Sequence, residues 1–213
     1  MTRFIILRHG NTIDNNKGIF TGTLDTPLST LGEKQINSAC EYIYNNFKVD
    51  KIYSSFLSRA INSVKPLAER LNKKVNVIDG IEEMFGGKWQ GMLIEDIKKL
   101  YPEDYKVWQD CVGLSKCTDG ESFKQVQDRA TNALKKVAKD NPNKVVVIST
   151  HGGLIRALEC AVKNIPLKNM DKTTYVVNAS ISLIDYVDDK FVANEFNINH
   201  YLDGLQTEMP KGI

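Results

Sequence analysis

The sequence predicts an α/β fold: a mostly parallel central sheet with helices on both faces and a small helical cap. Three observations carry this. Short, wholly apolar runs, Phe4–Leu7 and the Val-Val-Val-Ile within Lys144–Ser149, fit strands buried on both faces. Apolar stripes at helical spacing lie between them. Strands and helices alternate along the chain, which is the pattern of parallel crossover units. A hydrophobic fraction of 42% and a charged fraction of 25% over 213 residues suit one domain with a continuous core.

The elements follow in order. Phe4–Leu7 is the first strand, and a polar loop runs from Gly10 to about Pro27. Ser29 then caps a helix with Ile36, Ala39, Cys40, Ile43 and Phe47 inward. Lys51–Ser54 is a second strand. Leu57, Ala60, Ile61, Val64, Leu67, Ala68 and Leu71 form the clearest helical stripe, where Pro66 predicts a kink or a displaced end. Val75–Ile78 is a third strand. The segment from about 84 to 120 reads as a cap-like insertion in a single domain spanning 1–213. It has weak helical signals at Ile94–Leu100 and Tyr105–Cys111. A helix from about Ser122 to Asp140 precedes the strand Lys144–Ser149, and another opens near Gly152. Tyr175–Asn178, Ile181–Tyr186 and Phe191–Phe196 read as closing strands, the last two joined by a hairpin at Asp188-Asp189. The tail after Leu205 has too little apolar content to require order.

Composition excludes several classes of function. Against 28 basic residues stand 26 acidic ones, so the net charge of +2 gives no electrostatic case for nucleic acid or an anionic membrane. Cys40, Cys111, Cys117 and Cys160 form no C-x-x-C pair and no Cys/His ligand spacing, which argues against zinc. No Asp/Glu cluster has magnesium spacing, so neither metal nor cofactor is expected. The apolar run near the N-terminus is too short for a signal peptide, and no span approaches transmembrane length. A soluble cytoplasmic protein with reduced thiols is the expectation.

The chemistry concentrates at strand ends, where ligands bind in open α/β sheets. Arg8-His9-Gly10 ends the first strand, and Thr150-His151-Gly152-Gly153 ends the strand Lys144–Ser149. Glycines there let backbone amides approach a ligand, and the helix opening at Gly152 aims free N–H groups at an anion. Arg59 lies just after the second strand, and arginine forks suit a phosphate. Taken singly, each residue has an ordinary structural explanation. Two histidines and two arginines converging on one edge point instead to a phosphate or carboxylate site.

These residues resemble the histidine phosphatase superfamily, which includes cofactor-dependent phosphoglycerate mutases and acid phosphatases. The Arg8-His9-Gly10 triplet looks like its signature, with Asn11-Thr12, Asn15, Gly22, Asp25, Leu28 and Gly32 continuing the N-terminal pattern. Ser54-Ser55 and Arg59-Ala60 match a second block. Glu83, Gly87, Trp89 and Gly91 resemble the block holding the acid. Gly120-Glu121-Ser122 with Arg129, and Ser149 to Arg156 followed by Asn178, match later ones. The resemblance runs from about Thr2 to Leu202. It implies that His9 is the nucleophile and that Arg8, Arg59, His151 and Asn15 hold the phosphoryl group, with Gly152 beside it. It also implies that Glu83 protonates the leaving oxygen, without a metal. An imidazole attacks only when unprotonated, and cationic neighbours favour that form.

Within the superfamily, mutases carry Arg-x-Tyr after the acid, where this chain has Met84-Phe85-Gly86, and later Asn-Lys, where it has Leu93-Ile94. No obvious site for a second anion remains, so a phosphatase of small phosphomonoesters is the first expectation. Gln90 is the mutase-like choice at its position. The alternatives are a phosphoglycerate mutase, an α-ribazole-phosphate phosphatase and, from another class, a non-catalytic phosphoprotein-binding module. Met84, Phe85, Met92, Tyr101, Tyr105 and Trp108 offer either an apolar pocket lining or cap core.

Overall fold

The computed structural model describes residues 1–207. Strand β1 (Thr2–Arg8) ends at the first arginine of the signature. Thr12 then caps helix α1 (Ile13–Lys17): its side chain accepts from Asn15 N–H, and Asn15 Oδ1 accepts from Thr12 N–H. Such a cap contributes about 1 kcal/mol. This helix and strand β2 (Ile19–Phe20) occupy the stretch expected to be loop. Five helical residues, none buried, carry no apolar stripe by which to be recognised.

Ser29 caps helix α2 (Thr30–Asn46) by accepting from Gly32 N–H, and Ile36, Ala39, Cys40 and Ile43 are buried as expected. Strand β3 (Lys51–Ser54) leads into helix α3 (Ser58–Arg70). That helix passes through Pro66, so the expected displacement of its end does not occur. An internal proline costs about 3 kcal/mol, and burial of Val64 and Leu67 on either side, at roughly 1.5–3 kcal/mol each, offsets it. Strand β4 (Val75–Val77) follows.

Strand β5 (Met92–Leu93), helix α4 (Ile94–Leu100) and helix α5 (Pro102–Asp110) fall between 84 and 120. β2 and β5 pair antiparallel, tying this segment to the N-terminal loop. Helix α6 (Phe123–Asp140) carries a capping box from Ser122 and Gln125. Strand β6 (Val145–Thr150) and helix α7 (Gly152–Val162) come next, then strands β7 (Ile181–Val187) and β8 (Lys190–Ile198). Asp188 and Asp189, at φ 48° and 60°, form the two-residue turn expected between them.

Tyr175–Asn178 is not a strand. Its backbone groups are taken by side chains: Val177 N–H donates to Asn197 Oδ1 at 2.9 Å, and the Val176 carbonyl accepts from Arg8 Nη1.

The main sheet has the order β4-β3-β6-β1-β7-β8, its first four strands parallel and β7 antiparallel to both β1 and β8. Along β1 the side chains alternate between two cores. Phe4 and Ile6 pack with Val126 and Leu134 of α6 and Leu154 and Leu158 of α7. Ile5 and Leu7 pack with Ile36 and Ile43 of α2 and Val64 and Leu67 of α3. Both faces are therefore covered, which is why β1 and β6 read as unbroken apolar runs. Gln35 Nε2 donates to the Leu205 carbonyl at 2.7 Å, and the Thr207 hydroxyl donates to Asn178 Oδ1 at 3.1 Å. The tail thus begins tied down, and its remainder from 208 lies outside the described residues. Among the described residues no helix is long and apolar enough to cross a membrane.

Candidate active site

Sheet register brings the expected residues to one edge. Arg8 pairs with Thr150 and Ser54 with Ser149, so His9, Ser55 and His151 each stand one residue beyond neighbouring strand ends. His9 is buried, and its Nδ1 lies 2.7 Å from the Gly10 carbonyl. Its ring centroid is 5.1 Å from that of His151, and His151 Nε2 meets the Ser55 hydroxyl at 2.8 Å. Burial, followed by Arg59 and Arg8, holds His9 well below the usual imidazole pKa. Burial and Arg59 do the same to His151. Both rings are accordingly neutral near pH 7.

Arg59 sits in the first turn of α3, whose start is fixed from a distance. Asp25 Oδ1 accepts from Ser58 N–H at 2.9 Å and from its hydroxyl at 2.7 Å. The buried guanidinium donates to the Leu24 and Gly22 carbonyls at 2.8 and 2.7 Å. Gln90 pins that loop in turn: its Oε1 accepts from Thr23 N–H and hydroxyl, each at 2.8 Å, and from Gly86 N–H at 3.2 Å. Gln90 thus acts on Arg59 through the loop. Arg8 lies 5.9 Å from the Tyr175 ring centroid. Among the described residues, only Arg8 Nε and His151 Nδ1 are buried side-chain nitrogens or oxygens with no partner. Two such groups at one strand edge are what an anion would satisfy.

Glu83 reaches the same place from the loop after β4. Its carboxylate accepts from Met84 N–H at 3.0 Å and from Gly153 N–H, in the first turn of α7, at 3.2 Å. Arg129 on α6 holds this loop. It donates to the carbonyls of Gly80, Glu82 and Glu83 while pairing with the Glu121 carboxylate at 2.8 and 2.9 Å.

Arg8, His9, Asn15, Arg59, Glu83 and Gly152 line one pocket, whereas His151 is fully buried next to His9 and is not part of the lining. Asn15 Oδ1 is occupied by Thr12 N–H and Asn178 Nδ2, so Nδ2 is the atom Asn15 can offer a ligand. Met84 and Trp108 face the pocket, whereas Tyr105 is buried in the core and Phe85 is exposed. Phe20 and Phe123 complete the apolar wall, with Phe20 edge-on to Trp108 at 5.5 Å. Sequence reasoning did not place either in the site, and it named Thr12, Ser55 and Arg156 only within the family blocks, without a role. Arg156 adds a further cation to the pocket wall, beyond those expected there. Its signal was its position one helical turn beyond Gly152. Among the described residues no group of three or more His, Cys, Asp or Glu could hold a metal ion.

A neutral imidazole that shares one pocket with two guanidiniums and a carboxylic group has the chemistry to accept a phosphoryl group and protonate what leaves. The family model described as "Histidine phosphatase superfamily (branch 1)" matches residues 4–199. Phosphoserine phosphatase 1 of Hydrogenobacter thermophilus is 32% identical over 213 residues, all of both chains. Glucosyl-3-phosphoglycerate phosphatase of Mycolicibacterium vanbaalenii is 31% identical, over 84% of this chain and 81% of its own. A crystal structure of phosphoserine phosphatase from Entamoeba histolytica in complex with 3-phosphoglyceric acid superposes with a TM-score of 0.81. It is 27% identical, over 95% of this chain and 100% of that one.

Proposed function

This chain belongs to the histidine phosphatase superfamily and is a phosphomonoester hydrolase, and we propose that it works through a phosphohistidine on His9. His9 Nε2 attacks phosphorus as the ester P–O bond breaks, and Glu83 gives its proton to the departing alkoxide. Water then attacks the phosphohistidine, Glu83 takes the water's proton, and the N–P bonding pair returns to His9. Arg8, Arg59, Asn15, His151 and the Gly152 amide offset charge on the equatorial oxygens during both in-line steps. On this reading these cationic and neutral donors do the electrostatic work that a metal performs elsewhere.

The observation that carries the reading is the Nδ1 contact of His9 with Gly10, which leaves Nε2 with its lone pair. A small phosphorylated metabolite suits the pocket as substrate, and residues 84–120 act as a cap, with Met84 and Trp108 on its wall. The four free cysteines fit a cytoplasmic setting. The test is a turnover quenched in base with ³²P-labelled substrate and excess chelator. Acid-labile label should appear on wild type and vanish in His9→Ala. Label surviving in the mutant, or wild-type labelling that needs an added metal, would sink the mechanism.

A further inference from the structure

Arg156 is a partly buried guanidinium on the pocket wall that the phosphoryl chemistry does not use. It stands on α7, one turn beyond Gly152 and so on the same face as that helix's free amides. Its Nε donates to the Thr173 hydroxyl at 3.2 Å and its Nη2 to the Met170 carbonyl at 3.1 Å. Both acceptors are neutral, and Nη1 has no bond among the described residues. The acidic groups around it are Cys160, Glu159, Tyr175 and Asp171, and neither of the two carboxylates forms an ion pair with it. Glu159 is taken by Lys163 at 2.7 Å and by Thr174 N–H and hydroxyl at 3.1 and 3.2 Å.

A cation drawn out of water without a counter-charge is costly unless a ligand supplies one. On the reading above, Arg8 and Arg59 are already engaged by the phosphoryl group. The charge that Arg156 lacks must then come from another part of the substrate. One guanidinium edge with two carboxylate neighbours suits a monoanion better than a second phosphate, which calls for several cations. We propose that Arg156 receives a carboxylate of the substrate, so that the enzyme selects small phosphomonoesters carrying a carboxylate a few bonds from phosphorus. The rest of Arg156 ties the 170–173 segment to α7, which fixes the free edge in place.

This rests on the phosphomonoester hydrolysis proposed above, and the experiment separates the two. O-Phosphoserine and O-phosphoethanolamine differ only by a carboxylate, and p-nitrophenyl phosphate reports the phosphoryl chemistry alone. Wild type should favour phosphoserine over phosphoethanolamine by roughly tenfold to a hundredfold in kcat/KM, the range of one charged hydrogen-bonded contact. Arg156→Met should erase that preference, chiefly through KM, while p-nitrophenyl phosphate hydrolysis changes by less than about threefold. Arg156→Lys, which keeps the charge, should retain part of the preference and serves if the Met variant fails to fold. Equal losses on all three substrates in either variant would mean that Arg156 only ties down its segment. A wild type without preference would overturn the proposal as well. A wild type inactive on all three would instead defeat the underlying hydrolysis.

Discussion

His9 Nδ1 and the carbonyl oxygen of Gly10 are 2.7 Å apart, and a carbonyl can only accept. Nδ1 must therefore carry the ring's proton. Gly10 is the next residue in the chain, so the tautomer is set by local backbone and needs no distant partner. Burial with Arg59 and Arg8 then keeps a second proton off Nε2.

A direct measurement of this is long-range ¹H–¹⁵N NMR of the imidazoles. His9 should show the Nδ1–H tautomer at neutral pH and remain neutral well below the usual imidazole range. An Nε2–H tautomer, or protonation of His9 near pH 6.5, would contradict the geometry.

The same burial makes a prediction about stability. His9 and His151 have folded pKa values lowered below the unfolded value of about 6.5. Below that pH the unfolded chain binds protons that the folded chain refuses, so stability is full above it and falls as pH drops. Each histidine contributes up to about 1.4 kcal/mol per pH unit in that window. Urea unfolding at pH 7, 6 and 5 should show the decline, and His9→Asn should roughly halve its slope. A flat profile between pH 6 and 5 would show that the rings protonate in place.

What the sequence revealed and what it hid divide along physical lines. β1, β3, β6 and the stripe of α3 were legible because burial on one or both faces writes a period into the chain. The strand-end histidines and arginines were legible because parallel topology fixes where strand ends converge. α1 was hidden because it buries nothing. Tyr175–Asn178 looked like a strand because its apolar residues fill the pocket wall and the core, while its ladder partners turned out to be Arg8 and Asn197. Arg156 belonged to a recognised block, yet only the fold shows that α7 turns it inward. Ser55 likewise belonged to a recognised block, yet its hydroxyl gained a partner in His151 only once β3 lay beside β6.

Arg129 offers a test of how the acid-bearing loop is held. Its side chain donates to three carbonyls of that loop and pairs with Glu121, whose Oε2 also accepts from Phe85 N–H at 2.8 Å. Removing it leaves the carbonyls without this donor and Glu121 with only the Phe85 N–H, a loss on the order of 3 kcal/mol. Arg129→Lys should recover less than half, because a single ammonium cannot span these acceptors. Denaturant titration measures the stability, and kcat on an alkyl phosphate should fall in parallel. Full recovery by lysine would mean that charge alone matters there.

The last prediction concerns Gly153 and Glu83. A Cβ at residue 153 would lie 2.7 Å from Glu83 Oε1, closer than such contacts allow. Gly153 is helical without a positive φ, so alanine brings no backbone strain and slightly favours the helix. The carboxylate is the part that must move, away from the amides of Gly153 and Met84 that align it. Gly153→Ala should therefore fold at least as stably as wild type yet impair the acid. If Glu83 protonates the leaving oxygen, the impairment scales with leaving-group basicity. Glu83→Gln should cost roughly a hundred- to ten-thousand-fold in kcat/KM on an alkyl phosphate, and clearly less on p-nitrophenyl phosphate, whose phenolate leaves unaided. Gly153→Ala should show the same ordering with smaller losses, and both variants should still phosphorylate His9 from the activated substrate. Equal losses on the two esters would make Glu83 a pocket-shaping residue and turn attention to Glu82. A silent Gly153→Ala beside a damaging Glu83→Gln would mean that the carboxylate acts from a position away from α7, swinging there when substrate binds.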